Sequence, residues 1–464
     1  MNDFILWTAL IALAAIGAFG WALLVARDIF HPAAFLAPMV AFLYVYLPWE
    51  LHKSGLLTSG IYSIQDFSSV QLFNAACAVA LLFGCVLPSA LSSKSSRQSP
   101  AVKGPAELGN RSFRAALVFG GVALLAYAVN LHNVGGFFDA YSVEKGGGSA
   151  ESGYVRDAVM WCLPALGLVY FRIAQGRAGW PQYLALVCFA APLVMHALLS
   201  GRRGPTFIIF SLLFFGWYLA RGKRPSLLVF LGGGAVLGLL MLVMATFRES
   251  FMLGSDLFSN PGQAIHEIST HFNQRRADQA ERSLASNEFI YGVTVITEFS
   301  REKNYFWGKR LAALFLVRPI PRQLWPTKYE DVGMSRYEVN AGLTLGDDDL
   351  GGVAYGAAPG FAADLFAEFS WGAIGICLLV GYGYGAVWRR CVRVGGIWLI
   401  LYLLMVAFSI FFALQTMEAI LFRLAFTYIP VALAWRYYIA RPTTRLGRPV
   451  SRTQRLPRTR ATST

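Results

Sequence analysis

The stretch Ser200-Gly201-Arg202-Arg203-Gly204-Pro205 lies between two apolar runs, Pro181–Leu199 and Thr206–Ala220. Each run is long enough, or nearly long enough, for a helix to cross the roughly 30 Å hydrocarbon core of a bilayer. Because proline suits the first turn of a helix, the second run predicts a helix that starts at the two arginines. The stretch therefore predicts a short connection between two membrane helices.

Apolar runs of this kind recur along the whole chain. Of its 464 residues, 56% are hydrophobic and only 14% are charged, a composition that excludes a soluble globular protein. We predict an all-α polytopic membrane protein with about 11 transmembrane helices and one large exported loop between helices 8 and 9. The predicted spans are Phe4–Ala26, Ala33–Leu47, Val70–Leu91, Ala115–Asn130, Ala158–Phe171, Pro181–Leu199, Thr206–Ala220, Leu227–Phe247, Gly360–Val387, Ile397–Leu414 and Ala419–Ala434.

Four segments follow from this pattern. Residues 1–247 form an N-terminal bundle of spans 1 to 8, and residues 248–359 form an exported loop with amphipathic helices. Residues 360–435 hold spans 9 to 11. Residues 436–464 are rich in Arg, Pro, Ser and Thr without any acidic residue, which predicts a disordered basic tail.

The basic residues outside the spans predict the orientation. They cluster at Arg27 and in residues 92–114, 172–177, 221–224 and 388–393, as well as in the tail, and all of these positions fall on one side of an eleven-span chain. Cytoplasmic loops are enriched in Lys and Arg, so we predict an exported N-terminus and a cytoplasmic C-terminus. Ten or twelve spans are the alternatives, since the short seventh run also suits a re-entrant segment.

Arg202 and Arg203 are the basic exception on the exported side. They lie at the start of a helix, where the helix dipole is already positive, so the placement favours a bound anion. Guanidinium groups and exposed backbone N–H groups together suit an oxyanion such as phosphate. Arginines that reach toward lipid headgroups are the simpler alternative.

The exported loop supplies further candidates. Three prolines fix the backbone of residues 318–328, which carry Arg318, Arg322, Lys328 and a tryptophan, Trp325, suited to stacking on a sugar or to the membrane interface. The alternative interpretation is that this segment is a structural Pro-rich turn at the membrane surface.

Gly262–Ser286 is predicted to form an amphipathic helix with Glu267, His271 and Arg275 on one face. A carboxylate beside an imidazole suits a general base with an orienting partner, although ordinary solvated helices carry the same residues. Asp364 and Glu368, four positions apart at the exported end of span 9, are either catalytic bases or acids whose charge the exported cations compensate.

Other chemistries have weaker support. Asp347 and Asp349 form a DxD pair that suits a hard cation, but a polar loop tip explains the pair equally well. The six cysteines show no disulfide framework and no metal-binding spacing, and the chain lacks the nucleotide-binding and hydrolase motifs of soluble enzymes. The net charge of +14 is explained by cytoplasmic loops beside anionic lipid, so nucleic acid is not an expected partner.

Three stretches, in this order, resemble the Wzy-type O-antigen or oligosaccharide repeat-unit polymerases of bacterial inner membranes. They are Leu199–Gly204 at the start of a span, Pro319–Lys328 in a large exported loop, and Asp364–Gly375 leading into the next span. The likeness covers roughly residues 190–390, and the predicted topology also fits.

The resemblance implies a metal-independent glycosyltransferase without a cofactor, which joins undecaprenyl-pyrophosphate-linked oligosaccharides into O-antigen, capsule or exopolysaccharide at the periplasmic face. A flippase and a chain-length regulator of the same pathway would be its partners. The anionic leaving group would be held by the cations Arg202, Arg203, Arg318, Arg322 and Arg275. The base would be Asp364, Glu368 or His271, and the sugar would contact Trp325 and Lys328.

Two alternatives remain open. O-antigen ligases share the architecture and the donor, and they use an exported histidine, for which His266 and His271 are available. A non-enzymatic flippase or transporter of lipid-linked glycans is the second, although nearly charge-free spans favour surface chemistry over transport.

Overall fold

The computed structural model describes residues 2–53, 55, 57, 62–91, 106–141, 153–176, 178–199, 203–246, 288–321, 324–333 and 358–441. Within these ranges the chain is helical and contains no strand. The uniform helicity follows from the apolar runs, because a helix satisfies every backbone N–H and C=O group within its own segment.

The helices are numbered in chain order. The first half contains α1 (Asn2–Gly20), α2 (Ala33–Ala41), α3 (Leu47–Lys53), α4 (Ile64–Ala90), α5 (Ala106–Val134), α6 (Phe137–Ala140), α7 (Gly153–Ala158), α8 (Cys162–Ala174), α9 (Trp180–Leu199), α10 (Arg203–Ala220) and α11 (Leu227–Thr246). The second half contains α12 (Glu288–Glu302), α13 (Lys309–Ala312), α14 (Lys328–Asp331), α15 (Gly360–Phe369), α16 (Ala373–Val394), α17 (Ile397–Phe408), α18 (Phe411–Leu414) and α19 (Met417–Ala434).

Nine helical runs in the described ranges are long and apolar enough to cross a membrane. Each of the nine overlaps one of the spans predicted from hydropathy. Two shorter apolar helices, Leu227–Met241 and Ile397–Phe408, occupy the positions of the two other predicted spans. The prediction of a polytopic helical membrane protein is therefore confirmed.

The helices α4 and α16 pack closely against each other. A Cβ atom on Gly381 would lie 2.0 Å from the carbonyl oxygen of Leu81, and one on Gly385 would lie 2.4 Å from that of Cys85. From the other helix, a Cβ on Gly84 would meet the carbonyl oxygen of Leu378 at 2.4 Å. Glycines on both helices thus let the two backbones touch, as small residues commonly do in membranes.

A π-helical turn, Phe42–Tyr46, joins α2 to α3 and frees a backbone carbonyl inside the protein. The buried side chain of Gln71 satisfies it by donating to the carbonyl oxygen of Tyr44 at 2.7 Å, and it also donates to the hydroxyl of Thr8 at 3.0 Å. The hydroxyl of Tyr44 accepts from the backbone N–H of Ala362 at 3.2 Å. The turn therefore supports the first residues of α15.

The predicted ninth span, Gly360–Val387, is broken in the structure. Ser370 has φ of 52°, which ends α15, and a short 3-10 turn leads into α16. With 22 residues and a length of about 33 Å, α16 alone is long enough to span the hydrocarbon core. Periodicity could not show the break, because both helices are apolar and the serine between them is not a helix breaker.

The first described helix of the predicted exported loop, α12, packs against the bundle. On α12 every residue from Glu288 to Thr297 is buried. Phe289 lies 6.3 Å from Phe4 and 6.4 Å from Phe67, measured between ring centroids. This helix is therefore part of the same core as α1 and α4.

Candidate functional site

Arg310 lies at the centre of three buried carboxylates. Its Nη2 donates to Oδ1 of Asp364 at 2.6 Å, and its Nε donates to Oε1 of Glu368 at 2.6 Å. Oε1 of Glu418 lies 2.9 Å from the same Nε. All four side chains have at most 2% of their surface exposed. We call this set the Arg310 cluster.

The turn before α13 positions Arg310 by capping the end of α15. The backbone N–H of Phe306 donates to the carbonyl of Ala367 at 3.0 Å, and that of Trp307 donates to the carbonyl of Glu368 at 2.7 Å. The N–H of Gly308, a residue with φ of 83°, donates to Oε2 of Glu368 at 2.8 Å. These bonds satisfy carbonyls that a helix end leaves unpaired, and they fix Arg310 against α15.

The first residues of α19 close the cluster from the other side. The backbone N–H of Met417 donates to Oδ2 of Asp364 at 2.7 Å, so both oxygens of Asp364 are bonded. The side chain of Thr416 caps α19 by accepting from the N–H of Ala419. The cluster thus connects three helices, with Asp364 as the shared acceptor.

Electrostatics tie Arg310 to its acids. Burial lowers the pKa of Arg310, but Asp364, Glu418 and Glu368 raise it by more, and the net shift is upward. Nearby, burial raises the pKa of Tyr291 to about 12, with the charge of Asp364 adding to the rise. Arg310 is therefore a permanent cation, as buried guanidinium groups in ion pairs are expected to be.

A second group, rich in arginine, lies beside the first. Asp157 has Arg156 Nε 3.8 Å from its Oδ1 and Arg318 Nη2 3.6 Å from its Oδ2. Arg423 lies within electrostatic reach of all three of these residues. Arg318 is packed on the ring of Phe422, with 3.7 Å between its Cζ and the ring centroid. A guanidinium held by a ring face still presents its N–H groups to an anion.

The ring of Phe411 brings the start of α10 to this group. The Cζ of Arg423 lies 4.2 Å from the ring centroid, and a Cβ on Gly204 would lie 3.2 Å from its Cε1. The neighbouring Arg203 pairs with Glu288, with 3.1 Å between Nη2 and Oε1. Gly204 thus allows close packing on this ring, and the positive end of α10 lies on the ring that Arg423 also contacts.

We call Arg156, Arg203, Arg318 and Arg423 the arginine group; among the described residues, Asp157 and Glu288 are the carboxylates paired with it. Within the described part of the chain, the group brings these two acids together with four cations. Arg156 and Arg203 keep 54% and 38% of their side-chain surfaces exposed, so an external anion can reach them. This arrangement suits a polyanion such as a phosphate ester.

The structure brings several predicted site residues together. Arg203 and Arg318 belong to the arginine group, and Asp364 and Glu368 belong to the Arg310 cluster. The predicted compensation of these two acids by a cation is thus present. Both are buried and bonded, so they are not exposed to an acceptor hydroxyl in this conformation.

Two predicted sugar-binding residues have structural contacts instead. Lys328 is buried, and its Nζ donates to the carbonyls of Val317, Arg318 and Ile320 at 3.1, 3.0 and 2.6 Å. Its three hydrogens are thereby used, so sugar binding by Lys328 is not supported. Trp325 is half-buried, and its Nε1 donates to Asp331, whose pKa is lowered by this bond and by the hydroxyl of Thr327.

Other predicted residues lie outside the described residues. They are Arg202, Glu267, His271, Arg275 and Arg322, the acids Asp347 and Asp349, and the histidine of the ligase alternative, His266. The predicted amphipathic helix Gly262–Ser286 also lies outside them.

Sequence reasoning did not single out Arg156, Arg310, Glu418 or Arg423. A signal existed for Arg423 and Glu418, because an ionisable residue inside or at the edge of an apolar run is costly and needs a partner. Arg310 had no such signal, since it lies among ordinary charged residues of the predicted loop. Its role appears only when Asp364 and Glu418 are placed on either side of it.

In the part of the chain that the structure describes, no set of three His, Cys, Asp or Glu side chains is arranged to hold a metal ion. In the Arg310 cluster the guanidinium occupies the centre of the three carboxylates, where a cation would otherwise sit. The chain matches no protein-family model, and it matches none of the curated proteins or solved structures with which it was compared.

Proposed function

We propose that this protein is a bacterial inner-membrane glycosyltransferase that polymerises undecaprenyl-pyrophosphate-linked oligosaccharide repeat units into surface polysaccharide at the periplasmic face. The observation that carries the proposal is the arginine group. Arg156 and Arg318 contact Asp157, the charges of these three residues act on Arg423, and Gly204 at the start of α10 lies against the same Phe411 ring as Arg423.

The leaving group of this reaction fits the site. A lipid pyrophosphate gains negative charge as the glycosidic bond breaks, and fixed guanidinium groups lower the energy of that charge. Arg318 and Arg423 are held by aromatic rings, which limits the reorganisation needed when charge develops. The start of α10 adds its dipole beside them.

The topology that we propose has eleven spans, the nine long helices and the two shorter apolar ones. With the N-terminus outside, α10 begins at the periplasmic face and ends at the basic turn of Arg221, Lys223 and Arg224. The arginine group then faces the periplasm, where lipid-linked repeat units are polymerised, and the basic turns face anionic cytoplasmic lipid.

The three residues predicted as candidate bases have two different proposed roles. Asp364 and Glu368 hold Arg310 and thereby the end of α15, which is a positioning role. The deprotonation of the acceptor hydroxyl is assigned to His271, whose type and predicted neighbours suit a general base. A flippase that delivers the substrate and a regulator of chain length are the proposed protein partners.

The first test is polymerisation by the purified protein with undecaprenyl-pyrophosphate-linked repeat units in EDTA, with products separated on a gel. We expect a ladder from the wild type and a loss of rate of about 10²–10³ in Arg423→Gln and in Arg318→Gln, the usual effect of removing one charge-stabilising donor. Arg301→Gln is the matched control, because Arg301 is 59% exposed on α12 and pairs with Glu298 on the same helix.

The control variant should retain the wild-type ladder and each inactive variant should retain the wild-type elution volume. Full activity in both Arg318→Gln and Arg423→Gln would contradict the proposed anion site. A ladder that requires Mg²⁺ or Mn²⁺ would contradict metal independence and move the chemistry to Asp347 and Asp349.

The Arg310 cluster favours a second candidate, a transporter of lipid-linked glycans. Buried ionisable residues within membrane helices are common in proton-coupled transporters. In proteoliposomes a transporter would move labelled lipid-linked repeat units across the bilayer without joining them. The polymerase would lengthen them, so one preparation with both readouts separates the two functions.

A further inference from the structure

The segment Lys309–Arg318 of the predicted exported loop, which we call the α13 segment, has an apolar outer face. It consists of α13 and a π-helical turn, Ala313–Val317, that continues it. Its inner face is formed by the buried residues Arg310, Ala313, Leu314 and Val317. The outer face carries Phe315 and Leu316, which are 43% and 71% exposed. A helix face in water is normally polar, so these two side chains indicate a different neighbour.

The end of the α13 segment lies beside the ends of two membrane helices, not above them. Arg318 packs on the ring of Phe422, with 3.7 Å between its Cζ and the ring centroid. Phe422 lies within the apolar run Met417–Ile439, in which a helix rises about 7.5 Å between positions 417 and 422. Arg318 also has Asp157 at 3.6 Å, and Asp157 lies in the first turn of the apolar run Val155–Ala174. The outer face of the segment is therefore at the depth where these spans begin.

The carbonyl groups at the end of the segment are satisfied from inside the protein. The buried ammonium of Lys328 donates to the carbonyls of Val317, Arg318 and Ile320 at 3.1, 3.0 and 2.6 Å. The last carbonyls of a helix in water need no protein partner, because water supplies the donors. Lipid supplies none, so a helix end in contact with lipid needs donors from the protein itself. Lys328 meets this need.

The residues at the two ends of the segment suit the same environment. Lys309 is exposed at its start, and Arg318 at its end keeps 23% of its side chain exposed. Basic side chains that flank an apolar face extend toward the anionic headgroups while the apolar residues enter the acyl chains. Trp307, just before the segment, is 66% exposed, and exposed tryptophan is typical of the membrane interface. Charge and hydropathy thus both fit a phospholipid surface.

We propose that the α13 segment is a lipid-binding element, inserted into the bilayer interface on the side of the membrane where α19 begins, with Phe315 and Leu316 among the acyl chains. The partner of this surface is the bilayer lipid, not a second copy of the chain or another protein. The inference uses only the membrane class of the chain and does not depend on the proposed activity. It assigns to the membrane surface a part of the loop that hydropathy places in the aqueous phase.

The test is spin labelling of the full-length protein in liposomes of phosphatidylethanolamine and phosphatidylglycerol. Of the six native cysteines five are buried and Cys188 is exposed, so a Cys188→Ser background directs a nitroxide label to Leu316→Cys or to Phe315→Cys. The measurement is the ratio of nitroxide collisions with O₂, which concentrates in lipid, to collisions with a water-soluble nickel chelate. Each labelled protein must keep the wild-type elution volume before reconstitution.

Two further positions calibrate the ratio. Cys188 of the native chain is exposed within the apolar run Trp180–Leu199, so its label reports contact with lipid. Asn304→Cys, in the exposed turn before α13, reports contact with water. We expect the ratio at positions 315 and 316 to be several-fold higher than at position 304 and closer to that at Cys188.

Frequent collisions with the nickel chelate at position 316, as at position 304, would overturn the inference and place the segment in water. Few collisions with either reagent would overturn it as well, because the face would then be covered by protein, either another part of the chain or a second copy. The Phe315→Cys variant is independent of Leu316→Cys, so one of the two suffices if the other does not fold. None of these outcomes bears on the polymerisation assay, which tests the proposed function separately.

Discussion

At the scale of single residues, Arg310 determines whether the buried acids can be tolerated. Arg310→Met removes the cation and leaves Asp364, Glu368 and Glu418 buried together. Breaking a buried ion pair from one side costs about 3–5 kcal/mol, so we expect a strong loss of thermal stability in detergent. The measurement is the unfolding midpoint from tryptophan fluorescence.

Arg301→Met is the matched variant for this experiment, because Arg301 is exposed and forms a surface ion pair with Glu298. Such a pair stabilises a fold by about 0–1 kcal/mol. The variant should unfold within a few degrees of the wild type. Equal unfolding midpoints for Arg310→Met and Arg301→Met would show that the cluster does not stabilise the fold.

A second single residue, His31, makes the stability of the fold depend on pH. It is fully buried in the turn before α2, its Nδ1 accepts from the N–H of Ala33 at 3.2 Å, and burial lowers its pKa to about 4. The unfolded chain binds the proton near pH 6.5, so stability is complete above that value and decreases as pH falls toward 4. The loss is about 3 kcal/mol.

The comparison that isolates His31 is with His31→Asn, which does not titrate. The neighbouring Asp28 also has a shifted pKa, raised mainly by its burial and only partly lowered again by Arg224, and it is common to both proteins. We expect the stability difference between wild type and variant to shrink by about 3 kcal/mol as the pH falls from neutral to acidic. A difference independent of pH would contradict the assignment.

At the scale of helices, the contact of α4 with α16 depends on where the glycines lie. In Gly381→Leu the new side chain would meet the backbone of Leu81, which cannot move aside as a flexible side chain would. We expect a loss of at least about 1–3 kcal/mol, the usual cost of overpacking. Thermal unfolding and the yield of monodisperse protein are the measurements.

Gly383, two residues along the same helix, is the control position. A Cβ there has no atom within 4 Å, so Gly383→Leu adds the same side chain at an open site. It should leave stability unchanged or raise it slightly, because leucine favours the helix over glycine. If both variants are equally destabilised, the cause is the sequence of α16 and not its contact with α4.

Among the helices, those long enough to span a membrane could be predicted from the sequence alone, but some of their ends and contacts could not. Long apolar runs identified the membrane helices, because burial in lipid requires about 20 apolar residues in a row. The break at Ser370 and the inward packing of α12 gave no such signal. They depend on partners distant in the chain, such as Phe306 and Trp307 for the end of α15 and Phe4 for Phe289.

The residues of the candidate site could also be predicted from the sequence only in part. Arg203 was predictable because two arginines interrupt apolar runs, and Asp364 because it is an acid at the end of a span. The grouping of Arg156, Arg318 and Arg423 was not, since the three residues come from the ends or interiors of separate helices. Hydropathy places residues along the membrane normal, but it carries no information on which helices are neighbours.

At the scale of the whole molecule, the residues of the Arg310 cluster and of the arginine group lie at or near helix ends that the sequence assigns to the exported side. The helix α10 has 18 residues and a length of about 27 Å, close to the thickness of the hydrocarbon core. Arg203 at its start and Arg221 just after its end are therefore expected at opposite faces of the membrane.

Cysteine labelling tests which face is which. In a variant with the six native cysteines replaced by serine, Asn304→Cys places a thiol in the exposed turn before α13, and Ser226→Cys places one in the exposed turn before α11. We expect a membrane-impermeant maleimide to label position 304 in intact spheroplasts and position 226 only after permeabilisation. The opposite pattern would put the arginine group in the cytoplasm, where cytoplasmic nucleotides could reach it and periplasmic lipid-linked glycans could not, and the proposed polymerase would be wrong.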